Sequence, residues 1–181
     1  MSARRMLPPL TTSQMRRIMA SRHASHFIGV YPIDRLPVLL PPSTAPHCRH
    51  RHWTRRRDTQ RGYCFIVNMD PAHLPGSHWL AVYINADQRR PAEIFDSYGR
   101  APPLRLQHWL SRHCRRWVHN KCFIQGPLTA LCGVYCVFVL DIKCTFGLPF
   151  HDIVKLYFSP SATENDKRMR QYLYAIRRRV L

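Results

Sequence analysis

A single α+β domain is the fold class this sequence predicts, and two stretches predict it. Residues 63–95 hold three short apolar runs separated by turn-forming residues, the pattern of strands. Residues 132–146 form an apolar run without alternation and without Gly or Pro between Gly133 and Gly147, the pattern of a buried helix. The 181 residues suffice for one domain with a sizeable core, and 45% hydrophobic with 11% aromatic residues marks a folded chain.

Each element can be justified in chain order. Residues 1–11, with Arg4 and Arg5, read as a basic arm; the acid-poor start also suits a mitochondrial transit peptide. Thr12 or Ser13 is placed to cap a helix reaching Ser21, with Met15, Ile18 and Met19 on one face. Phe27–Tyr31 is a short strand, and Pro32, Pro37, Pro41, Pro42 and Pro46 then interrupt regular structure. Tyr63–Asn68 reads as a central strand. A turn-rich loop delivers His78-Trp79 to the strand Leu80–Asn85, and a turn leads into Ala92–Phe95, which ends at Asp96-Ser97-Tyr98-Gly99. The last two strands form an antiparallel hairpin, which sets His78 beside Asp96.

Leu104–Trp117 has a helical pattern with Leu106, Trp109, Leu110 and Trp117 inward, and Val118–Ile124 reads as a strand leading to Gln125. After the buried helix, 148–160 holds a short helix. Ser161-x-x-Glu164 is a capping-box signature for a last helix ending in Arg177, Arg178 and Arg179.

The net charge of +18 predicts attraction to a polyanion, nucleic acid being the commonest. Cys48–Gly62 concentrates that charge, with six arginines, one acid and Trp53 interleaved. Arg49, Arg51, Arg55, Arg56 and Arg57 are the expected DNA contacts, against the plainer alternative of a solvated charge run. His47, Cys48, His50 and His52 are ligand types, but no second pair stands at finger spacing, so no metal is expected. Seven irregularly spaced cysteines argue for a reducing compartment and against a disulfide framework. No apolar run reaches the roughly 20 residues of a membrane span, and the start has no secretory apolar region.

One set of residues has the parts of thiol-based peptide hydrolysis. Cys132 opens a helix, where unpaired N–H groups and the helix dipole favour a thiolate, and Gly133 leaves room for a substrate backbone. His78 serves as base and acid, with Trp79 packed beside it. Asp96 orients the imidazole, and the Gln125 amide joins the Cys132 N–H in holding the oxyanion. Taken singly, each has a plain structural reading: a buried thiol, a strand-end histidine, a turn aspartate, a loop glutamine. Their joint occurrence is what points to chemistry.

His78-Trp79, Phe95-Asp96-x-Tyr98-Gly99 and Gln125-Gly126-Pro127 with Cys132-Gly133 stand in an order that resembles the adenovirus-type maturation proteases (adenain). Relatives of that family occur in other double-stranded DNA viruses and self-synthesising DNA transposons. Cys64–Asn68, Phe27-Ile28-Gly29-x-Tyr31, Ile124, Ala130 and Cys136 extend the likeness, which runs with gaps from Thr12 to Tyr174. The sequence departs from it in carrying Asp96 where the family mostly has Glu, and in the 48–62 insertion.

The resemblance implies an α+β fold with a central mixed sheet flanked by helices, of the papain/Ulp1-like kind with the chain order His-Asp-Gln-Cys, formed by residues 12–181. It implies a cysteine endopeptidase that cleaves viral precursor proteins at Gly-Gly or Gly-x-Gly sites during virion maturation. It also implies location in the virion and host nucleus and a monomer with no membrane partner. No metal or small-molecule cofactor is implied, but stimulation by double-stranded DNA and by a short basic peptide is. Cys114 matches the cysteine to which that peptide is disulfide-linked, with Cys122 as the nearby competitor. Two alternatives stand beside this reading. A ubiquitin-like-protein isopeptidase shares the residue order but usually has Gln six residues before Cys, not the seven found here. A basic DNA-packaging protein explains the charge alone.

Overall fold

Strand pairing sets the whole arrangement. β1 (Phe27–Pro32), β2 (Gly62–Asn68), β3 (Trp79–Asn85), β4 (Ala92–Phe95) and β5 (Trp117–His119) form one sheet in the order β1-β2-β3-β4-β5. The two outer pairs are parallel and the β2-β3-β4 meander is antiparallel, so the sheet is mixed. Five helices accompany it: α1 (Thr12–His23), α2 (Leu104–His113), α3 (Cys132–Phe146), α4 (Phe150–Tyr157) and α5 (Ala162–Val180). This is the α+β class that the sequence predicts. The computed structural model describes residues 8–38, 40, 62–86 and 89–180. Arg49, Arg51, Arg55, Arg56 and Arg57, with His47, Cys48, His50 and His52, therefore lie outside the described residues.

Because successive strand residues point to opposite faces, the same strands build two cores. Cys64, Ile66, Ala81, Tyr83 and Phe95 face a layer containing α1, α3, α4 and α5. Phe65, Val67, Leu80, Val82, Ile84 and Ile94 face the other way, toward Leu106 and Leu110 of α2. With both faces covered, β2 and β3 carry apolar residues at nearly every position, which is why they read as unbroken apolar runs.

α3 is apolar almost all round because it lies between sheet and helices, and its two buried charges are matched. Asp141 accepts two bonds from Arg22 of α1 (2.9 and 2.8 Å), one from His23 (2.7 Å) and one from the Tyr172 hydroxyl of α5 (3.1 Å). Burial alone would raise the Asp141 carboxyl, but the His23 and Arg22 bonds outweigh it and hold it below the usual carboxylate range. Lys143 pairs with Glu93 of β4 at 2.5 Å and lies over the Tyr83 ring, while the second Glu93 oxygen accepts the Phe150 N–H at 2.6 Å. That pair fixes the far end of α3 to the sheet and to the start of α4.

Several element ends differ from expectation. α1 is capped by Thr11, not Thr12 or Ser13, because Gln14 closes a reciprocal box with it. α2 stops at His113 since Cys114 turns extended, and Trp117 pairs with Ala92 in β5. β5 ends at His119; the Asn120 N–H still donates to the Ile94 carbonyl at 3.3 Å, and its side chain bonds both the Asp96 N–H and carbonyl (2.7 Å each). At α5, Ser161 accepts from the Glu164 N–H at 3.4 Å, but the Glu164 carboxylate turns to Arg168, so only half the box forms. Leu10 is buried, and the Pro8 carbonyl accepts from Arg177 at 2.7 Å, so residues 8–11 lie along α5. No described helix alone is long and apolar enough to cross a membrane.

Replacing Lys143 with Met should destabilise the fold by about 3–5 kcal/mol, since it leaves the buried Glu93 carboxylate without its cation. Chemical denaturation of the two proteins measures this; a change under about 1 kcal/mol would show that Glu93 needs no partner.

Candidate active site

The β3-β4 pairing decides which side chains meet at the sheet's edge. Ala81 pairs with Phe95 and Tyr83 with Glu93. That pairing ends at Ala81 and Phe95. The turn after β4, closed by the Gly99 N–H on the Asp96 carbonyl at 2.9 Å, brings Asp96 and Tyr98 beside His78, the residue just before β3. His78 Nε2 lies 2.6 Å from Asp96 Oδ1, and the Tyr98 ring stacks on the imidazole with centroids 4.8 Å apart. The same Asp96 oxygen accepts the Tyr98 N–H at 2.8 Å, and the Asn120 clamp holds the Asp96 backbone from the other side. Asp96 is 1% exposed and His78 8%.

Cys132 begins α3, close enough to His78 for its thiol to raise the imidazole. His78 thus interacts with both a carboxylate and a thiol. Burial pulls the His78 imidazole down, but its bonds to Asp96 and Cys132, with the charges those groups carry, raise it to about 9. The imidazole is therefore cationic at neutral pH. A cation beside a thiol at a helix N-terminus is the setting that favours a thiolate. Among the described residues, no acceptor engages the Cys132 or Gly133 N–H, while Val134 and Tyr135 both donate to the Leu131 carbonyl.

Two expected roles are reassigned. The ring against the imidazole is Tyr98, itself stacked on Phe123 with centroids 5.6 Å apart, and not Trp79. Trp79 instead packs against the start of α3 beside Gly133. Gly133 is needed by the core: a Cβ there would lie 2.9 Å from Met15 Sδ of α1. It faces the interior, so the room it leaves is taken by α1 and not by a substrate backbone.

Gln125 lies fully buried in the loop before α3. Its Oε1 accepts from the Ser97 hydroxyl at 2.7 Å, which fixes the orientation of the amide. Its Nε2 donates to the Thr129 carbonyl at 2.5 Å and lies 3.3 Å from both the Tyr98 hydroxyl and Thr129 Oγ1. The amide is thus engaged within the protein on every side, with one N–H directed toward the tyrosine that covers His78.

Tyr98, Asn120, Ser97 and Thr129 were not singled out by sequence reasoning. Only Tyr98 had a usable signal, its place in the Phe95-Asp96-x-Tyr98-Gly99 motif. Cys114 lines a separate surface cavity of about 360 Å³ with Pro91, Arg115, Arg116 and Trp117. Burial pushes its thiol up to about 11, a setting for an inert thiol, whereas Cys122 is exposed. Among the described residues no three potential ligands converge on a metal position.

No protein-family model matches the sequence, and no curated protein matches it. Among solved structures, the chain is similar to crystal structures of the ASFV pS273R protease. The selenomethionine form gives a TM-score of 0.47 at 18% identity, covering 61% of this chain and 42% of that one. A second gives 0.44 at 17%, covering 61% and 41%. The chain thus spans about two fifths of those proteins' length. A likeness of this extent assigns neither a family nor an activity.

A group raised from about 6.5 to about 9 contributes stability that is complete below the lower value and lost as pH rises through the higher one. The cationic imidazole follows the same window. In Asp96→Asn a raising contribution is gone while burial still pulls the imidazole down, so its titration should move to lower pH. The pH profile of Cys132 alkylation by iodoacetamide, with Cys132→Ser as the blank, reads this as a shift of the break assigned to His78. An unmoved break would show that Asp96 does not hold the imidazole cationic.

Proposed function

We propose that this chain is a cysteine endopeptidase. The observation that carries the reading is the buried His78–Asp96 pair, with Cys132 at the first turn of a buried helix acting on the same imidazole. In that chemistry the Cys132 thiolate attacks the scissile carbonyl carbon, and the C–N bond breaks as the His78 imidazolium protonates the leaving amine. A water molecule, giving its proton to His78, then attacks the thioester and releases the acid and the thiolate. Asp96 stays charged and keeps the ring oriented. The oxyanion is received by the Cys132 N–H and by the Gln125 N–H that faces the Tyr98 hydroxyl in the free site.

The motif Gln125-Gly126-Pro127 to Cys132-Gly133 supports the finer reading of an adenain-type enzyme that cuts viral precursor proteins after small residues, at Gly-Gly or Gly-x-Gly sites, in the virion and host nucleus. The net charge of +18 supports stimulation by double-stranded DNA. A disulfide-linked activating peptide at Cys114 belongs to the same reading. Cys114 is 9% exposed at the wall of its surface cavity, and Cys122 is the more accessible thiol.

Cys132→Ala and His78→Ala should each lower kcat by about 10⁴-fold or more while leaving the fold intact, and Asp96→Asn should cost less than either. The assay is cleavage of a fluorogenic Leu-x-Gly-Gly peptide beside a folded ubiquitin-like-protein fusion. Activity retained in Cys132→Ala would sink the assignment, and cleavage of the fusion alone would identify an isopeptidase. DNA binding should weaken steeply between about 50 and 200 mM salt; a flat response would remove DNA from the account.

A further inference from the structure

We propose that Asn165 and Asp166, at the start of α5, are positioning residues for the oxyanion loop, an inference that rests on the protease reading above. Asp166 is buried, and one of its oxygens accepts the Gly126 N–H at 3.2 Å. The other accepts the Tyr135 hydroxyl at 2.8 Å, and that hydroxyl also lies 3.2 Å from the Ile124 carbonyl. Tyr135 stands on α3 three residues after Cys132, and burial, followed by its bond to Asp166, raises its phenol far above the ordinary range. Asn165 is fully buried; its amide donates to the Ile124 carbonyl at 3.1 Å and to the Ser159 carbonyl at 2.8 Å, and accepts the Ser159 N–H at 2.8 Å.

These contacts fall on Ile124 and Gly126, on either side of Gln125. On the opposite side, the Ser97 carbonyl accepts the Ile124 and Gln125 N–H groups at 2.9 and 3.2 Å. The turn is closed by the Gly126 carbonyl, which accepts the Thr129 N–H at 3.2 Å and its hydroxyl at 2.9 Å. The chain on either side of Gln125 is thus pulled two ways, toward the Asp96 turn and toward α5. The Gly126 N–H is turned to Asp166, which fixes the plane of the Gln125–Gly126 peptide and with it the start of the Gln125 side chain. Glycine at 126 follows from the same contact, since a Cβ there would lie 2.6 Å from Asp166 Oδ2.

A buried carboxylate is costly unless fully matched. Here it receives a backbone N–H and a phenol, the two groups that tie the oxyanion loop to the helix bearing the nucleophile. None of these contacts touches His78 or Asp96. Loosening them should therefore spare the thiolate and substrate binding and affect only the step in which charge develops on the carbonyl oxygen.

The test compares wild type with Asp166→Ala, Asp166→Asn and Tyr135→Phe, each checked for a cooperative thermal transition. Two quantities are measured: kcat and KM on the Leu-x-Gly-Gly peptide, and the alkylation rate of Cys132 by iodoacetamide, a reaction that forms no oxyanion. Asp166→Ala should lower kcat by about 10- to 100-fold with KM and alkylation unchanged. Asp166→Asn keeps an acceptor for the Gly126 N–H and should recover part of the loss. Tyr135→Phe should show a smaller loss of the same kind. If kcat in Asp166→Ala stays at the wild-type value, or falls in step with alkylation, the inference is overturned while an inactive Cys132→Ala still supports the protease reading. An active Cys132→Ala would overturn both.

Discussion

The contact between His78 and Asp96 is the constraint on which the site depends, and the β3-β4 hairpin with the turn that follows it makes that contact. A shift of one residue in the β3-β4 pairing would turn Asp96 to the opposite face and leave a buried imidazole without its carboxylate. The register is defended by both cores at once. Val82 and Ile94 pack on one side of the hairpin and Ala81, Tyr83 and Phe95 on the other, so a slip would expose apolar side chains on two faces. Asn120 adds a local lock by taking both backbone groups of Asp96.

The nucleophile comes from a different level of the structure. α3 is placed by burial, and its charged pairs with α1 and β4, with the Tyr172 bond from α5, set its depth and rotation against the sheet. Packing of Gly133 on Met15 brings the first turn close to α1, and the sulfur meets the imidazole where the helix starts. Two rigid bodies, hairpin and helix, thus hold the reacting groups, while the connecting loop carries Gln125. This division places the groups that must stay fixed on regular structure and the donor to the developing charge on a braced loop.

Much of this was legible in the sequence because it is local. Apolar runs reveal β2, β3 and α3, and the hairpin follows from the turn between its strands, which is enough to bring His78 to Asp96. What escaped reading depends on contacts between distant residues. Just past the end of β5, Asn120 reaches across to Asp96, and nothing near position 120 announces it. The aromatic neighbour of His78 comes from the turn after β4, whereas Trp79 is only next to it in sequence. Gly133 suggested an opening for substrate, but the reason for it lies on α1, more than a hundred residues earlier. Asp166 follows Glu164 in an unremarkable first turn, and its role appears only when α5 is laid against the loop.

The site requires Asp96 and Cys132 together to hold His78 as a cation at neutral pH. NMR titration of the His78 ring nitrogens in the wild-type protein tests it most directly. Both nitrogens should remain protonated through pH 7 to 8, with the transition near 9. A neutral ring at pH 7.5, titrating near the ordinary value of about 6.5, would contradict the account, because the thiol would then have no imidazolium beside it.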